Sequence, residues 1–136
     1  AAARLATRLR HSHEEDRTYA GYGDEWSAMH AVLGAKFRSH TDAAQLLCGT
    51  GDAFLLYHVP SPGLDQVWSD GGDGSGPNRL GLQLMLIRDR LLGQRRWTKF
   101  IQGLIDVNSG MPGSQAKALQ WQAVVQKAAE ALTREL

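Results

Sequence analysis

Hydrophobic residues recur at helical spacing between residues 24 and 49. After Asp24, a good helix cap, the apolar positions continue to about Ser39 and comprise Trp26, Met29, Val32, Leu33 and Phe37. A second, shorter apolar stretch begins after Thr41, runs through Leu47 and meets Gly49. The pattern predicts two helices that bury their apolar stripes in a core.

The same spacing predicts three more helices in the second half of the chain. One starts after Asn78 and stops at Gly93, and the next covers residues 97–105. A long last helix is expected from its cap at Ser114 to Leu136. Its apolar face is expected to comprise Ala116, Leu119, Val124, Ala128 and Leu132.

Between the second and third helices, residues 53–59 are almost continuously apolar and stop at Pro60, which predicts a short buried strand. The expected fold class is therefore mainly α with a minor β component. We expect a compact multi-helical domain over residues 1–93. Residues 94–136 are expected to form a C-terminal helical extension that packs on this domain or on a partner.

The loop before the third helix carries the candidate chemistry. Residues 65–81 read DQVWSDGGDGSGPNRLG, and the five glycines allow successive N–H groups to turn inward as an anion-binding nest. Asn78 stands at the N-cap of a helix whose positive dipole end points back at the loop. Trp68 offers a flat face to a heterocyclic base, and Asp70 lies near enough to act on the bond between base and sugar. The alternative interpretation is a long surface loop with an Asn cap.

Composition narrows the class of protein. Hydrophobic residues make up 43% and charged residues 21%, which is typical of a globular domain, and no apolar run approaches the roughly 20 residues that span a bilayer, so no membrane role is expected. The formal net charge of +1 does not indicate nucleic acid, although basic side chains gather at Arg88, Arg90, Arg95, Arg96 and Lys99. A single cysteine, Cys48, suits an intracellular, reducing compartment, cytoplasmic or organellar.

Several motifs in register resemble the NADAR (YbiA-like) family. They are AKFR at 35–38, LLCGTGDA at 46–53, WSDGGDGSGPNRLG at 68–81 and LM at 84–85. The similarity extends over roughly residues 20–92. It implies a compact multi-helical YbiA-like domain and N-glycosidic chemistry on ribosylated compounds.

The resemblance also implies roles for individual residues. Asp70 would be catalytic, by stabilising the sugar cation or activating water, and Trp68 would stack the base. Asn78 and Arg79 would hold ribose or phosphate oxygens. The full ligand-binding set is Trp68, Gly71, Gly72, Asn78, Arg79, Lys36 and Asp65. For Lys36 the alternative is a solvated helix lysine. No metal or cofactor is expected.

The chain departs from the family pattern at three places. The family's N-terminal Ser/Thr-x-Glu-His motif has no counterpart, so the NADAR domain is expected to be N-terminally incomplete. Tyr57 aligns with a family Glu, and Ser69 replaces a glycine. His58 is interpreted as a core or rim residue rather than a base. His11 and His13 are not expected to form a metal site, because no partner at ligand spacing follows them.

Two functions are therefore expected as alternatives. The first is an N-glycoside hydrolase-type domain acting on a ribosylated base, either a riboflavin-pathway ribosylamino-pyrimidine or an ADP-ribosylated nucleobase. Its partner would be that ribosylated small molecule or ADP-ribosyl group. The second is a noncatalytic NADAR-derived subunit of a larger complex, such as a ribonucleoprotein, that contacts a protein partner through residues 94–136.

Overall fold

The structure, a computed structural model, describes residues 23–135, with only the backbone of Glu135 described. The metal site weighed at His11 and His13 lies outside the described residues. Five helices are present in the described part, and they confirm the mainly α fold class. They are α1 Glu25–Lys36, α2 Asp42–Cys48, α3 Arg79–Leu92, α4 Thr98–Leu104 and α5 Gln115–Glu135.

The predicted helix starts are confirmed by their capping contacts. The side chain of Asp24 accepts a hydrogen bond from the Ser27 amide at the start of α1. Thr41 accepts one from the Ala44 amide at the start of α2. Each side chain satisfies an amide that has no partner inside its own helix, so the sequence fixes both starts locally.

Helix α3 is the centre of the molecule. It packs against α1, α2 and α4, and α4 in turn packs against α5. Because α3 is surrounded, even its polar Gln83, Arg88 and Asp89 are buried. The surrounding core contains Trp26, Met29, Leu33, Leu47, Ile101, Leu104, Trp121 and Val125. None of the helices within residues 23–135 has the length and apolarity needed to cross a membrane.

The strand predicted over residues 53–59 is wrong. These residues form an irregular, mostly half-buried segment, and the isolated bridge between Ile105 and Pro112 is the β pairing found in the described chain. A strand needs a neighbouring strand for its amide and carbonyl groups. Here the loop supplies the partners instead: the Asn78 side chain bonds Leu55 and Tyr57, and the Asp70 amide bonds the Tyr57 carbonyl.

Helix α5 begins as predicted, since the Ser114 hydroxyl accepts a hydrogen bond from the Lys117 amide. The predicted apolar face is wrong, however: Leu119 is 67% exposed, and the buried side chains are those of Trp121, Val125 and Ala129. These three pack in the same core as α3. The domain boundary at residue 93 stays a prediction.

Candidate functional site

The loop between residues 60 and 78 is folded by its own short-range hydrogen bonds. The Asp65 carboxylate accepts from the amides of Val67 and Trp68 at 3.1 and 2.9 Å, which turns the chain and directs Trp68 into the core. Gly72 has a φ of +87°, and a Cβ there would lie 2.8 Å from the Pro62 nitrogen. Close backbone packing therefore requires glycine at this turn.

Asp70 lies at the centre of this loop and is fully buried. Its Oδ2 atom is 2.6 Å from Nδ1 of His58. Its Oδ1 atom accepts from the amides of Gly72 at 2.7 Å and Val59 at 3.3 Å. The loop thus holds the Asp70 carboxylate between two backbone amides and the His58 ring.

The glycine amides that the sequence predicts as a phosphate nest donate within the loop. The Gly71 amide bonds the Ser69 hydroxyl, and the Gly72 amide bonds the Asp70 carboxylate. The amides of Gly74 and Gly76 both bond the Asp70 carbonyl, at 2.9 and 2.8 Å. The ligand-binding role of Gly71 and Gly72 stays a prediction.

Ser69, which departs from the family pattern, is accommodated inside the loop. Its side chain is fully buried, its hydroxyl donates to the Asp65 carbonyl, and it accepts from the Gly71 amide. The added side chain therefore closes the turn between Asp65 and Asp70.

Asn78 occupies the N-cap of α3, as predicted, but its side chain makes no capping bond. Its backbone is left-handed, with φ 52° and ψ 45°. The side-chain amide instead donates to the Leu55 carbonyl and accepts from the Tyr57 amide, both at 2.9 Å. The predicted capping contact is wrong because the Asn78 side chain is hydrogen-bonded to the irregular 53–59 segment instead. The ligand-binding role of Asn78 stays a prediction.

Arg79 lies against two tryptophans. Its guanidinium carbon is 4.9 Å from the centre of the Trp26 ring and 5.4 Å from that of Trp68, and Nη1 is 3.5 Å from a carboxylate oxygen of Glu25. Burial lowers the pKa of Arg79, and the charges of Glu25 and Asp24 oppose this shift. Trp68 is 3% exposed, and its base-stacking role stays a prediction.

A cavity of about 290 Å³ lies between this loop and the C-terminal segment. Gln66, Val67 and Arg79 line its loop side, and Met111 and Trp121 line the opposite wall. Among the described residues that line this cavity, Arg79 is the one that the sequence predicted as a site residue. The lining is mainly apolar and also contains the ion pair of Arg79 and Glu25, which suits a flat ligand with polar groups at one edge.

Lys36 and Asp65 lie apart from this cavity's described lining. Lys36 is exposed in the last turn of α1, where a cation is favourable to the helix dipole. Asp65 is buried and caps the turn before Trp68. Their ligand-binding roles stay predictions. Among residues 23–135, no group of His, Cys, Asp and Glu side chains is arranged to hold a metal ion.

The contact between His58 and the predicted catalytic residue Asp70 was not predicted from the sequence. The His58 side chain is 28% exposed and bonds the fully buried Asp70. The sequence feature that could have pointed to His58 was its position next to Tyr57, which aligns with a Glu in the family pattern. No spacing rule connects residues 58 and 70, so the pairing is visible only in the fold.

Comparison with known proteins finds curated relatives over part of the chain. N-glycosidase YbiA of Escherichia coli (strain K12) is 43% identical over 63 residues, which is 46% of this chain and 38% of the relative. A riboflavin biosynthesis protein of Vibrio vulnificus is 35% identical over 89 residues, 65% of this chain and 23% of the relative. An N-glycosidase of Nostoc punctiforme is 38% identical over 61 residues, 45% of this chain and 36% of the relative.

The matched part of this chain thus spans less than two fifths of the length of each of these relatives. No protein-family model and no solved structure matches the chain.

Proposed function

Because the chain belongs to the NADAR (YbiA-like) family, we propose that it forms an N-glycosidase-type site that hydrolyses the bond between ribose and a base. The similar proteins named N-glycosidase support the reaction type, and the one named for riboflavin biosynthesis supports a ribosylamino-pyrimidine as substrate. An ADP-ribosylated nucleobase is the second substrate class.

The observation that carries this proposal is the fixed carboxylate of Asp70. Cleavage of an N-glycosidic bond develops positive charge at the anomeric carbon, and a negative charge held in place beforehand stabilises it. Two backbone amides and the His58 ring hold the Asp70 carboxylate, and its full burial keeps water from screening it. The residue predicted as catalytic is thus a carboxyl group held in one position by the loop.

The cavity beside Arg79, whose described lining includes neither Asp70 nor His58, has a size that favours the smaller substrate. At about 290 Å³ it lies just below the ~300–1,000 Å³ typical of ligand sites. A single-ring base with its ribose suits this volume better than a complete ADP-ribose does. Arg79 would attract the phosphate of such a substrate, and the Trp121 wall would contact its ring.

One observation favours the noncatalytic alternative. Asp70 has no exposed surface, and both of its carboxylate oxygens have donors within the protein. A carboxylate so placed also serves as a clamp that joins residues 58–59 to the glycine loop, residues 60–78. A noncatalytic subunit would use the same clamp to hold its fold.

The two functions are distinguished by base release. The full chain is incubated with a ribosylated amino-pyrimidine and, separately, with an ADP-ribosylated base, and the free base is measured by chromatography. We expect release by the wild type and loss of release in Asp70→Asn. Asp73→Asn is the matched control, because Asp73 is exposed in the same loop and bonds only Ser75.

Thermal unfolding shows whether Asp70→Asn still folds. A folded wild-type chain that releases neither base would overturn the N-glycosidase proposal and support the noncatalytic function. Equal release by wild type and a folded Asp70→Asn variant would remove Asp70 from the reaction.

A further inference from the structure

The imidazole of His58 connects the buried carboxylate of Asp70 to the surface. Nδ1 of His58 is 2.6 Å from Oδ2 of Asp70, and the two side chains are 28% and 0% exposed. The distance is at the short end for a hydrogen bond between nitrogen and a carboxylate. The His58 side chain thus lies between the Asp70 carboxylate and solvent.

The other contacts of Asp70 fix which ring nitrogen carries hydrogen. Oδ1 accepts from two backbone amides, those of Gly72 and Val59. An ionised carboxylate can only accept hydrogen bonds. Nδ1 of His58 must therefore be the donor, which leaves Nε2 of the neutral ring as an acceptor. Among the described residues, His58 has no other hydrogen-bond partner than Asp70.

Exposure decides which member of the pair can meet a substrate. A general acid or base must approach the proton it transfers to within hydrogen-bond distance, directly or through one water. Asp70 is fully buried, whereas the His58 side chain is 28% exposed. A carboxylate behind an imidazole holds its tautomer and stabilises the imidazolium that forms when the ring takes a proton.

We propose that His58 transfers the proton in the N-glycosidase reaction and that Asp70 is its positioning residue. This inference rests on the proposed function. Nε2 of His58 takes a proton from water as the water oxygen bonds to the anomeric carbon. The bond from that carbon to the base nitrogen breaks, and its electron pair goes to the nitrogen. The imidazolium then returns the proton to the base, so the ribose gains OH and the base gains H.

The test compares His58→Asn with wild type in the full chain, with the ribosylated amino-pyrimidine as substrate. The Asn amide can still donate to Asp70 from nearly the position of Nδ1, but it transfers no proton. We expect kcat to fall at least about 100-fold, within the range for general acid–base catalysis, with KM within twofold. We also expect the shape of the kcat–pH profile to change, because the group that transfers the proton has been removed.

The matched control is His40→Asn. His40 is exposed, and its φ of 68° is a left-handed conformation that Asn tolerates, so this variant should keep wild-type kcat. In His58→Ala, added imidazole should restore part of the lost kcat, which a purely structural role for His58 would not allow.

Two outcomes would overturn the inference while the proposed function stands. One is an active wild type whose His58→Asn variant keeps kcat within threefold and an unchanged pH profile. The other is a nitrogen-15 NMR spectrum that finds the hydrogen of neutral His58 on Nε2 rather than Nδ1. An inactive wild type instead removes the proposed function, and the catalytic role of His58 with it.

Discussion

The indole nitrogen of Trp121 in α5 donates a hydrogen bond to the carbonyl oxygen of Pro77, 2.7 Å away, although 44 residues separate them in sequence. Pro77 lies in the glycine loop that holds Asp70, and Trp121 is 2% exposed in the core. The C-terminal helix is therefore joined to the candidate site by a buried anchor. It also forms a wall of the cavity beside Arg79.

Gln122 extends this connection, because its side-chain amide donates to the carbonyls of both Gly74 and Gly76. We expect Gln122→Ala to lower the free energy of unfolding by about 1–3 kcal/mol, since two loop carbonyls lose their donor. Base release should also slow as the loop loosens. Gln120→Ala, at an exposed position of the same helix, should change neither quantity by a measurable amount. Urea unfolding of both variants checks this, and equal stabilities would contradict it.

Asn78 should not tolerate replacement by Asp, although Asp has the same shape and also accepts left-handed backbone. The Asn78 amide donates to the Leu55 carbonyl, and a carboxylate would place an acceptor against that oxygen in a fully buried position. We expect Asn78→Asp to cost roughly 3 kcal/mol in urea unfolding. The control is Asn108→Asp, which is exposed. A loss no larger than that of the control would show that the Asn78 clamp contributes little.

Gly81 is required by close approach rather than by a special φ. A Cβ on Gly81 would lie 2.0 Å from the Leu55 carbonyl oxygen, a backbone atom that cannot rotate away. We expect Gly81→Ala to destabilise by at least about 2 kcal/mol. Gly103→Ala in α4 has open space around its Cβ and should stabilise by about 0.5–1 kcal/mol through helix propensity. Opposite signs in thermal unfolding would confirm this; equal shifts would contradict it.

Asp89 should make stability depend on pH in acid. Burial alone raises the pKa of the Asp89 carboxyl, but hydrogen bonds from Thr98, Trp97 and Gln94 outweigh it and hold the pKa below its ordinary value. A carboxyl with a depressed folded-state pKa stabilises the fold above its unfolded pKa, and this contribution is lost as pH falls through the folded pKa.

The measurement is the difference in unfolding free energy between wild type and Asp89→Asn from pH 6 to pH 2. We expect this difference to be largest at pH 6 and to shrink below roughly pH 4, near the ordinary pKa of Asp. Thr98→Val removes one of the hydrogen-bond donors to Asp89. The difference in unfolding free energy between wild type and this variant should also shrink in acid, but by less. A difference that stays constant across the range would contradict the assignment.

The features that sequence predicted correctly are those set by neighbouring residues. Asp24 and Thr41 cap α1 and α2 through amides three residues away, and α3 begins at Arg79 directly after the glycine loop. Capping signals and helical spacing act over one or two turns, so a single sequence contains them in full.

The features that it missed are set by contacts across long stretches of chain. Residues 53–59 have the composition of a strand, but the Asn78 side chain, 21 residues from Tyr57, takes the place of a partner strand. In α5, burial follows Trp121 rather than Leu119, because the indole reaches the Pro77 carbonyl. The pairing of His58 with Asp70 likewise depends on where the loop returns. No local pattern specifies such distant partners.

The clamp of Asn78 on the 53–59 segment and the anchor of Trp121 on Pro77 also bear on the order in which the chain folds. Contacts of 23 and 44 residues in sequence separation form only after both flanking parts have come together. We therefore expect the glycine loop to order late in folding and to open early in native-state fluctuations. Hydrogen exchange should then show the hydrogen-bonded amides of Gly72 and Gly74 losing protection before those at the centre of α3.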